Sequence, residues 1–461
     1  MFKKMIDYIR QVINKLFPKK DIKEAMNIDI AISDEMGEAI DLWDMMYKDK
    51  SPWLDKNTKS LNLAAAIASE LARLTTLEMQ SEITGSPRAD YLNEQYQKVI
   101  EDIRRVTEYA AAKGGLIFKP YIDGESTAVD YVQADEFLPV KYDSSGNITA
   151  VIFTERLRKG SKIYTRLEYH DLLEKGYYIS NTAYVNENND DTLGKQVSLD
   201  TVQEWADLEP EILLQNIKKP LFAYYKIPIA NTIDTRSHLG VSVYARAVNL
   251  IKEADRQYSR TIWEYEGSEL AIDVDLSMLK DGEEIPEGKE RMFRMLDAGE
   301  DGFYKVYSPA IRDENLFNGL NKILQRIEFN CGLAYGTLSD VQMVDKTAEE
   351  IRSSKQRTYS MVVDMQKGLQ HALEDLIYAM NTWATIMGVA KGEYEVSFDF
   401  DDSLVVDSKT EQTIMLQEVS AGLIKPEMYL MERYGVTEEQ AREMLPNMNE
   451  PLDEEDYDDM E

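Results

Sequence analysis

The sequence predicts an α+β fold, mainly helical with one β-rich portion, and three observations carry that prediction. Apolar residues recur at helical spacing in two successive stretches, Leu63, Ile67, Leu71 and Leu74, then Tyr96, Val99, Ile103, Val106 and Ala110. The spacing then changes to short β-type runs: Leu116-Ile117-Phe118, Ala150-Val151-Ile152-Phe153, Ile163-Tyr164 and Tyr177-Tyr178-Ile179. Finally, residues 347–387 contain no proline and only one glycine, Gly368, which marks a long helix.

A chain of 461 residues exceeds one ordinary core, so roughly two to four packed modules are expected. Hydrophobic residues make up 43%, enough for a globular protein and too many for a disordered one. No apolar run approaches the roughly 18 residues of a membrane-spanning helix, so no membrane span is expected. Near the N-terminus there is neither an uninterrupted apolar region nor a small-residue cleavage site, so no secretory signal is expected. A single cysteine, Cys331, excludes an intramolecular disulfide and a multi-thiol zinc site. The formal net charge is −32, from 52 basic and 84 acidic residues. Binding nucleic acid by neutralising phosphates needs the opposite balance. Either plain solubility or a surface that lies near DNA without holding it accounts for such a charge.

In chain order, residues 1–20 carry Lys3, Lys4, Arg10, Lys15, Lys19 and Lys20 against Asp7, with Ile6, Ile9, Ile13, Leu16 and Phe17 at helical spacing. That is a basic amphipathic helix, expected to dock on its own protein or a neighbour rather than on a membrane. The second of the two helices named above ends at Gly114-Gly115. The β-type runs are separated by Asp123-Gly124, Ser145-Gly146-Asn147 and Lys159-Gly160, which are turn residues. One mostly antiparallel sheet over about 115–230 is predicted, with a mobile loop over 186–196, bearing Asn188-Asn189-Asp190-Asp191, within or beside it. Ser242 reads as the N-cap of a helix of about two dozen residues bearing Ala245, Val248, Ile251, Asp255, Tyr258 and Ile262 on one face. Residues 268–312, punctuated by Gly282, Pro286, Gly288, Gly299 and Gly302, suit a small α/β excursion. Phe317, Leu320, Leu324, Ile327 and Cys331 restore helical spacing, which Gly332, Gly336 and a polar stretch to Lys346 then break.

Thr347-Ala348-Glu349-Glu350 has capping-box spacing and opens the long helix, which at 1.5 Å per residue extends roughly 60 Å. Leu369, Leu373, Leu376, Met380, Trp383 and Met387 form a heptad-like seam suited to a buried face. Gly368 weakens the helix locally and permits a kink. A strand-like run, Tyr394 to Phe400, and two helices follow, with Pro426 in a first turn and a second capping box at Thr437-Glu438-Glu439-Gln440. Residues 450–461 contain eight acids and no base, the composition of a disordered tail.

Signs of catalysis are sparse. The chain has no phosphate-binding loop, since Lys113-Gly114-Gly115 lacks the flanking spacing, and no GxSxG, HExxH or CxxC. His170, His238 and His371 are far apart in sequence, and Cys331 falls on an apolar helical face. No cofactor and no metal site is expected. The best enzymatic candidate is Asp399-Phe400-Asp401-Asp402 at the end of a strand, where Asp399, Asp401 and Asp402 could hold nuclease metals but equally suit a turn or a helix cap. A second alternative is a helical scaffold or adaptor that forms no ring.

Several segments, taken in order, resemble the portal proteins of tailed bacteriophages, of the siphophage and prophage type in Gram-positive bacteria. They are Ile40-Asp41-Leu42-Trp43-Asp44-Met45-Met46-Tyr47 with Ser51-Pro52-Trp53-Leu54, and Asn62-Leu63 through Glu78. Next come the helix ending in Gly114-Gly115 and leading into Lys119-Pro120-Tyr121, then Gly240-Val241-Ser242 continuing through Asp255. The last are Phe317-Asn318 through Gly332-Leu333, and Gly422-Leu423-Ile424 followed by Tyr434-Gly435 and Glu438-Glu439-Gln440-Ala441.

The resemblance implies no enzyme but a ring of usually twelve subunits around a channel at the capsid portal vertex of the virion, assembled in the host cytoplasm. By it, residues 1–236 form a wing that includes the sheet, 237–265 and 313–335 are paired stem helices, and 266–312 form a small clip. Asp281, Glu283, Glu284, Glu287 and Lys289 of the clip would meet the terminase large subunit and later a head-completion adaptor. Residues 336–346 would be a tunnel loop turning Gly336, Thr337, Ser339, Asp340, Gln342, Asp345 and Lys346 towards DNA. The long helix 347–389 would support it, and 390–461 would form a helical crown with the acidic tail. Scaffolding and major capsid proteins would be further partners, and double-stranded DNA would pass without sequence specificity.

Overall fold

The computed structural model describes residues 19–124, 126–187, 192–268, 271–275, 293–296, 304–307, 310–340, 348–400, 415–434 and 437–445. The chain divides into two compact units, Met1–Phe400 and Asp401–Glu461.

In the first unit, α1 (Lys19–Met26), α2 (Asp34–Tyr47) and α3 (Leu63–Thr76) precede a short strand, β1 (Met79–Thr84), and the long α4 (Pro87–Lys113). Local chemistry sets the helix ends. The Ser33 and Ser86 hydroxyls accept from the backbone N–H groups of Met36 and Ala89, both at 3.3 Å, and Pro87 occupies the first turn of α4. Gly114, in the left-handed region at φ 92°, closes α4 by donating to Ala110 O. The predicted stripe of Tyr96, Val99, Ile103, Val106 and Ala110 is buried, as are Leu63, Ile67 and Leu71 of α3.

Strands β2 (Gly115–Asp123), β3 (Ser126–Gln133), β4 (Phe137–Tyr142), β5 (Ile148–Lys159), β6 (Lys162–Leu173), β7 (Gly176–Asn186), β8 (Lys195–Val197), β9 (Glu211–Leu214) and β10 (Ala223–Lys226) follow. They do not make the single sheet predicted over 115–230. Two sheets form, one in the order β10-β2-β3 and one in the order β4-β5-β6-β7-β8, with β9 also pairing to β7. The split has a packing reason. Gly115 through Pro120 of β2 are buried without alternation, because helices cover that sheet. Strand β5 instead alternates: Val151 and Phe153 join the main core, while Ala150 and Ile152 join a separate cluster with Ile22 of α1, Leu138, Leu167, Tyr169 and Tyr184. Of the loop read around 186–196, residues 188–191 lie outside the described residues and Lys195–Val197 is strand.

The helix expected from Ser242 begins six residues later, as α5 (Val248–Gly267), after a 3₁₀ turn at Ala245–Ala247. Ser242 is buried, and its hydroxyl accepts from Tyr244 N–H at 3.2 Å in a tight turn instead of capping a helix. Backbone bonds hold that segment: Val243 N–H donates to Ala111 O at 3.0 Å, and Ile227 N–H to Gly114 O at 3.1 Å. Here Gly114 and Gly240 face each other backbone to backbone. A Cβ on Gly240 would lie 2.0 Å from Gly114 O, and one on Gly114 would lie 2.6 Å from Gly240 O.

Three short strands, β11 (Ala271–Asp275), β12 (Phe293–Leu296) and β13 (Tyr304–Tyr307), form a sheet in which β11 pairs parallel to β12 and antiparallel to β13. After α6 (Asp313–Cys331) comes α7 (Ala348–Ile386), which runs unbroken through Gly368. A Cβ at Gly368 would lie 3.3 Å from Lys226 O, so the glycine admits strand β10 close to the helix. Leu369, Leu373, Leu376 and Met380 of the predicted seam are buried, and Trp383 and Met387 are half-buried. The far end of α7 is held by Arg88, which donates to Asn381 Oδ1 (2.9 Å), Thr385 Oγ1 (2.7 Å), Val389 O (3.1 Å) and Asn381 O. A guanidinium there sits near the negative end of the helix dipole and ties the last turns of α7 to the chain that follows them. Strand β14 (Glu395–Phe400) pairs antiparallel with β1, a strand that the sequence had not suggested.

In the second unit, α8 (Pro426–Tyr434) starts on proline. Helix α9 (Glu438–Glu443) carries the predicted capping box, with Gln440 N–H donating to Thr437 Oγ1 at 3.4 Å and Thr437 N–H to Gln440 Oε1 at 3.1 Å.

Gly240→Ala should destabilise the first unit by about 3 kcal/mol or more, because backbone, not a flexible side chain, occupies the Cβ position. Gly160→Ala, at a φ of 63° with nothing within 4 Å, should cost only about 1 kcal/mol. Thermal and denaturant unfolding of the two variants measure the difference. Equal losses would remove the close backbone approach as the cause.

Candidate functional site

Helices α5 and α6, which flank the β11–β13 segment in sequence, pack antiparallel against each other. Gln257 Nε2 donates to Leu316 O at 3.4 Å, Arg312 reaches Glu264 at 2.8 Å, and the Tyr265 and Phe317 rings lie 6.4 Å apart. Ile251 and Ala254 of α5, with Leu320, Ile327 and Cys331 of α6, point into the core. Burial pushes the Cys331 thiol well above its ordinary value, so it acts as a small hydrophobe. The segment 51–62 lies along α5: Trp53 Nε1 donates to Asp255 Oδ2 at 2.8 Å, Leu61 N–H to Asp255 Oδ1 at 2.9 Å, and Lys59 N–H to Ser259 Oγ at 2.7 Å. Burial raises the Asp255 carboxyl against the lowering effect of those two donors.

Beyond α6 the chain turns at Gly332 (φ 74°) and Gly336 (φ 92°). Four of the loop residues singled out in the sequence are described: Gly336, exposed Thr337, buried Ser339 and exposed Asp340. Gln342, Asp345 and Lys346 lie outside the described residues, as do Asp281, Glu283, Glu284, Glu287 and Lys289. The loop base rests on two residues that sequence reasoning missed. Fully buried Glu328 accepts from the N–H groups of Gly336 (3.1 Å), Leu338 (2.7 Å) and Ser339 (2.8 Å) on Oε1, and from the Ser339 hydroxyl (2.8 Å) on Oε2. Asn321 Oδ1 accepts from Asp340 N–H at 2.7 Å, and its Nδ2 donates to Asp340 O at 3.3 Å. The available signal was an acid inside an apolar stripe, four residues after Leu324 and three before Cys331. On the α7 side, the Arg357 guanidinium sits 4.4 Å from the centre of the Phe329 ring.

A cleft of about 240 Å³ opens between the two sheets, lined by Lys119, Asp130, Glu136, Glu155, Arg166 and Glu168 among others. Most of its charges are paired: Glu168 takes Lys119 at 2.9 Å, Arg166 at 3.2 Å and His170 Nε2 at 2.8 Å, while Arg166 also reaches Glu155 at 2.8 Å. His170 Nδ1 shares a hydrogen bond with Tyr177 Oη at 2.8 Å. This is an internal staple between strands. Among the described residues no group of three His, Cys, Asp or Glu is placed to hold a metal ion. Asp399 is an exposed residue of β14 opposite Gln80, and Asp401 and Asp402 lie outside the described residues. Among the described residues no helix is long and apolar enough to cross a membrane.

The staple has a pH consequence. Burial lowers His170 below its ordinary value, although Glu168 pulls the other way. A base depressed in the fold favours the native state above the unfolded pKa, about 6.5, and the benefit is lost as pH falls through the depressed value. Burial opposes charge on Glu168, yet Lys119, His170 and Arg166 hold its carboxyl well below the ordinary range, so its contribution is lost at lower pH still. Thermal melts between pH 7 and 4 should therefore show falling stability, and His170→Phe should flatten the upper part of that fall. A wild-type melting temperature constant from pH 7 to 5 would exclude the histidine's part.

Residues 57–456 match the family described as "Phage portal protein, SPP1 Gp6-like". Among curated protein sequences, none matches this chain. A solved structure similar to it is the "Neck of native GTA particle computed with C12 symmetry", with a TM-score of 0.39 and 11% identity, covering 84% of this chain and 91% of that one. With its family match spanning most of the sequence and an α+β fold, the chain belongs to the SPP1 Gp6-like phage portal protein family.

Proposed function

We propose that this chain is the subunit of a closed ring of about twelve copies at one capsid vertex, and that double-stranded DNA enters and leaves through its axial channel. The observation that carries this reading is the surface of the α5–α6 pair. Trp263 is 66% exposed, Tyr265 41%, Phe317 39% and Phe329 48%. Trp263 and Tyr265 are two residues apart, so they leave α5 on nearly opposite sides, about 200° apart around the helix. A closed ring built from one kind of subunit needs two different faces on each copy, and exposed aromatics on two sides suit that requirement.

In this reading residues 1–236 form the wing, 237–265 and 313–335 the stem, 266–312 the clip, 336–346 the tunnel loop, 347–389 its supporting helix and 390–461 the crown. The terminase large subunit and then a head-completion adaptor dock at the clip, with Asp281, Glu283, Glu284, Glu287 and Lys289 in contact. Scaffolding and major capsid proteins surround the ring during assembly in the host cytoplasm. The chain itself catalyses nothing, and the ATP hydrolysis of packaging belongs to a partner.

Trp263→Ser and Phe317→Ser should each raise the concentration needed for ring closure about tenfold or more, as loss of a central aromatic contact does. Mass measurement and negative-stain imaging across concentrations test this, and rings as stable as wild type in both variants would overturn the interface. Lys346→Ala rings should still package DNA, because the loop guides rather than grips. Loss of packaging by intact rings would assign Lys346 a gripping role. The combined Asp399→Asn, Asp401→Asn and Asp402→Asn variant should package as wild type. A divalent-ion-dependent nuclease activity removed by those changes would replace the portal reading with an enzymatic one.

A further inference from the structure

We propose that Glu328 is a positioning residue for the tunnel loop: with Asn321 it binds residues 336–340 to α6, so that the loop leaves the stem in one fixed direction. The inference rests on the portal reading, since it assigns a task to the loop of that reading, but the geometry behind it is independent. Glu328 is 0% exposed, and a buried carboxylate is tolerated only where donors replace its water. All four donors come from the loop itself: three backbone N–H groups converge on Oε1, and the Ser339 hydroxyl takes Oε2. Converging backbone N–H groups make a nest shaped for an anion, and here the anion belongs to the preceding helix.

The main chain of Glu328 takes part as well, because its carbonyl accepts from Leu333 N–H at 2.9 Å and from the Gly332 cap. Asn321 lies seven residues earlier, on the same face of α6, and holds both the N–H and the carbonyl of Asp340. Four of the five positions 336–340 are thereby referred to one rigid helix face, and the fifth, Thr337, turns back on Ala334 O. A glycine at position 336, with φ at 92°, lets the chain curl around the carboxylate.

Full-length Glu328→Ala, Glu328→Gln and Asn321→Ala test the proposal by amide hydrogen exchange and by packaging with assembled rings. In Glu328→Ala the Gly336, Leu338 and Ser339 amides should exchange about tenfold faster or more, with the Leu324 amide in α6 unchanged. Asn321→Ala should free only Asp340. Glu328→Gln, whose amide oxygen still accepts, should keep most of the protection and package close to wild type, while Glu328→Ala rings package more slowly. Unchanged exchange in Glu328→Ala would overturn the proposal. So would an equal rise at Leu324, which would make Glu328 a general support of the fold. Deleting residues 341–346 separates the two levels. If the deletion stops packaging while unprotected Glu328→Ala rings package normally, the positioning role is wrong and the loop reading stands. If the deletion packages normally, the loop reading itself falls.

Discussion

Much of the first unit depends on one close approach, Gly114 against Gly240. At that point α4 ends, β2 begins, β10 returns to pair with it, and the chain enters the turn leading to α5. The Tyr224 hydroxyl accepts from Gly240 N–H at 3.0 Å, and Gly115 next door leaves room for the same tyrosine ring. Side chains on either glycine would force the strand and the helix entry apart, and the backbone bonds from Ile227 and Val243 would break with them. The helix pair is thus placed relative to the sheet by direct backbone contact.

The second recurring device is a buried charge used as a staple. In a chain of net charge −32, Lys113 is 2% exposed and tied to Asp44 at 2.5 Å and Asp135 at 2.7 Å, joining α4 to α2 and to the connection after β3. Burial works against its charge, but the two aspartates outweigh it and its pKa is raised. Arg88 has no carboxylate among its hydrogen-bond acceptors and is held by carbonyls and amide oxygen near the end of α7. Glu328 is the mirror case, an anion held by N–H groups. Such groups add little net stability over apolar packing, but removing one partner leaves the other buried and unpaired. They therefore act mainly on geometry: one fixes a helix pair, one the far end of α7, and one the loop base.

The helices were legible because their cores follow period: Tyr96, Val99, Ile103, Val106 and Ala110 face inward as spaced. What was not legible depended on partners distant in sequence. Strand β1 is six residues with only Ser81 and Ile83 buried, and it becomes a strand by pairing with β14, over three hundred residues later. Ser242 has the chemistry of an N-cap, yet a local turn to Tyr244 and a tertiary bond from Val243 to Ala111 claim that segment first. Gly368 reads as a weak point in a helix and is in fact the space for a strand. For the loop, Gly332 and Gly336 announced the break, but the one sign of its anchor was an acid on the apolar stripe of α6, which does not say what the acid binds. A glutamate reveals itself as buried only when the N–H groups that satisfy it are in place.

The charge of the chain bears on how such a loop works under the portal reading. Exposed basic side chains do occur on the helix pair, with Arg260 on α5 and Lys322 and Arg326 on α6. Arg256 is already engaged by Glu253 at 2.7 Å. At physiological salt the field of each fades over about 8 Å, so a few separated cations in an acidic envelope feel a phosphate backbone only at close range. Tight binding by counterion release needs many simultaneous contacts, and each would have to be broken for DNA to advance. A sparse set of cations on helices, with a loop base held by neutral backbone donors and one internal carboxylate, keeps the rigid parts from competing for phosphate. In the proposed reading the loop's direction comes from Glu328 and Asn321, whose hydrogen bonds go to the chain's own loop base and not to phosphate.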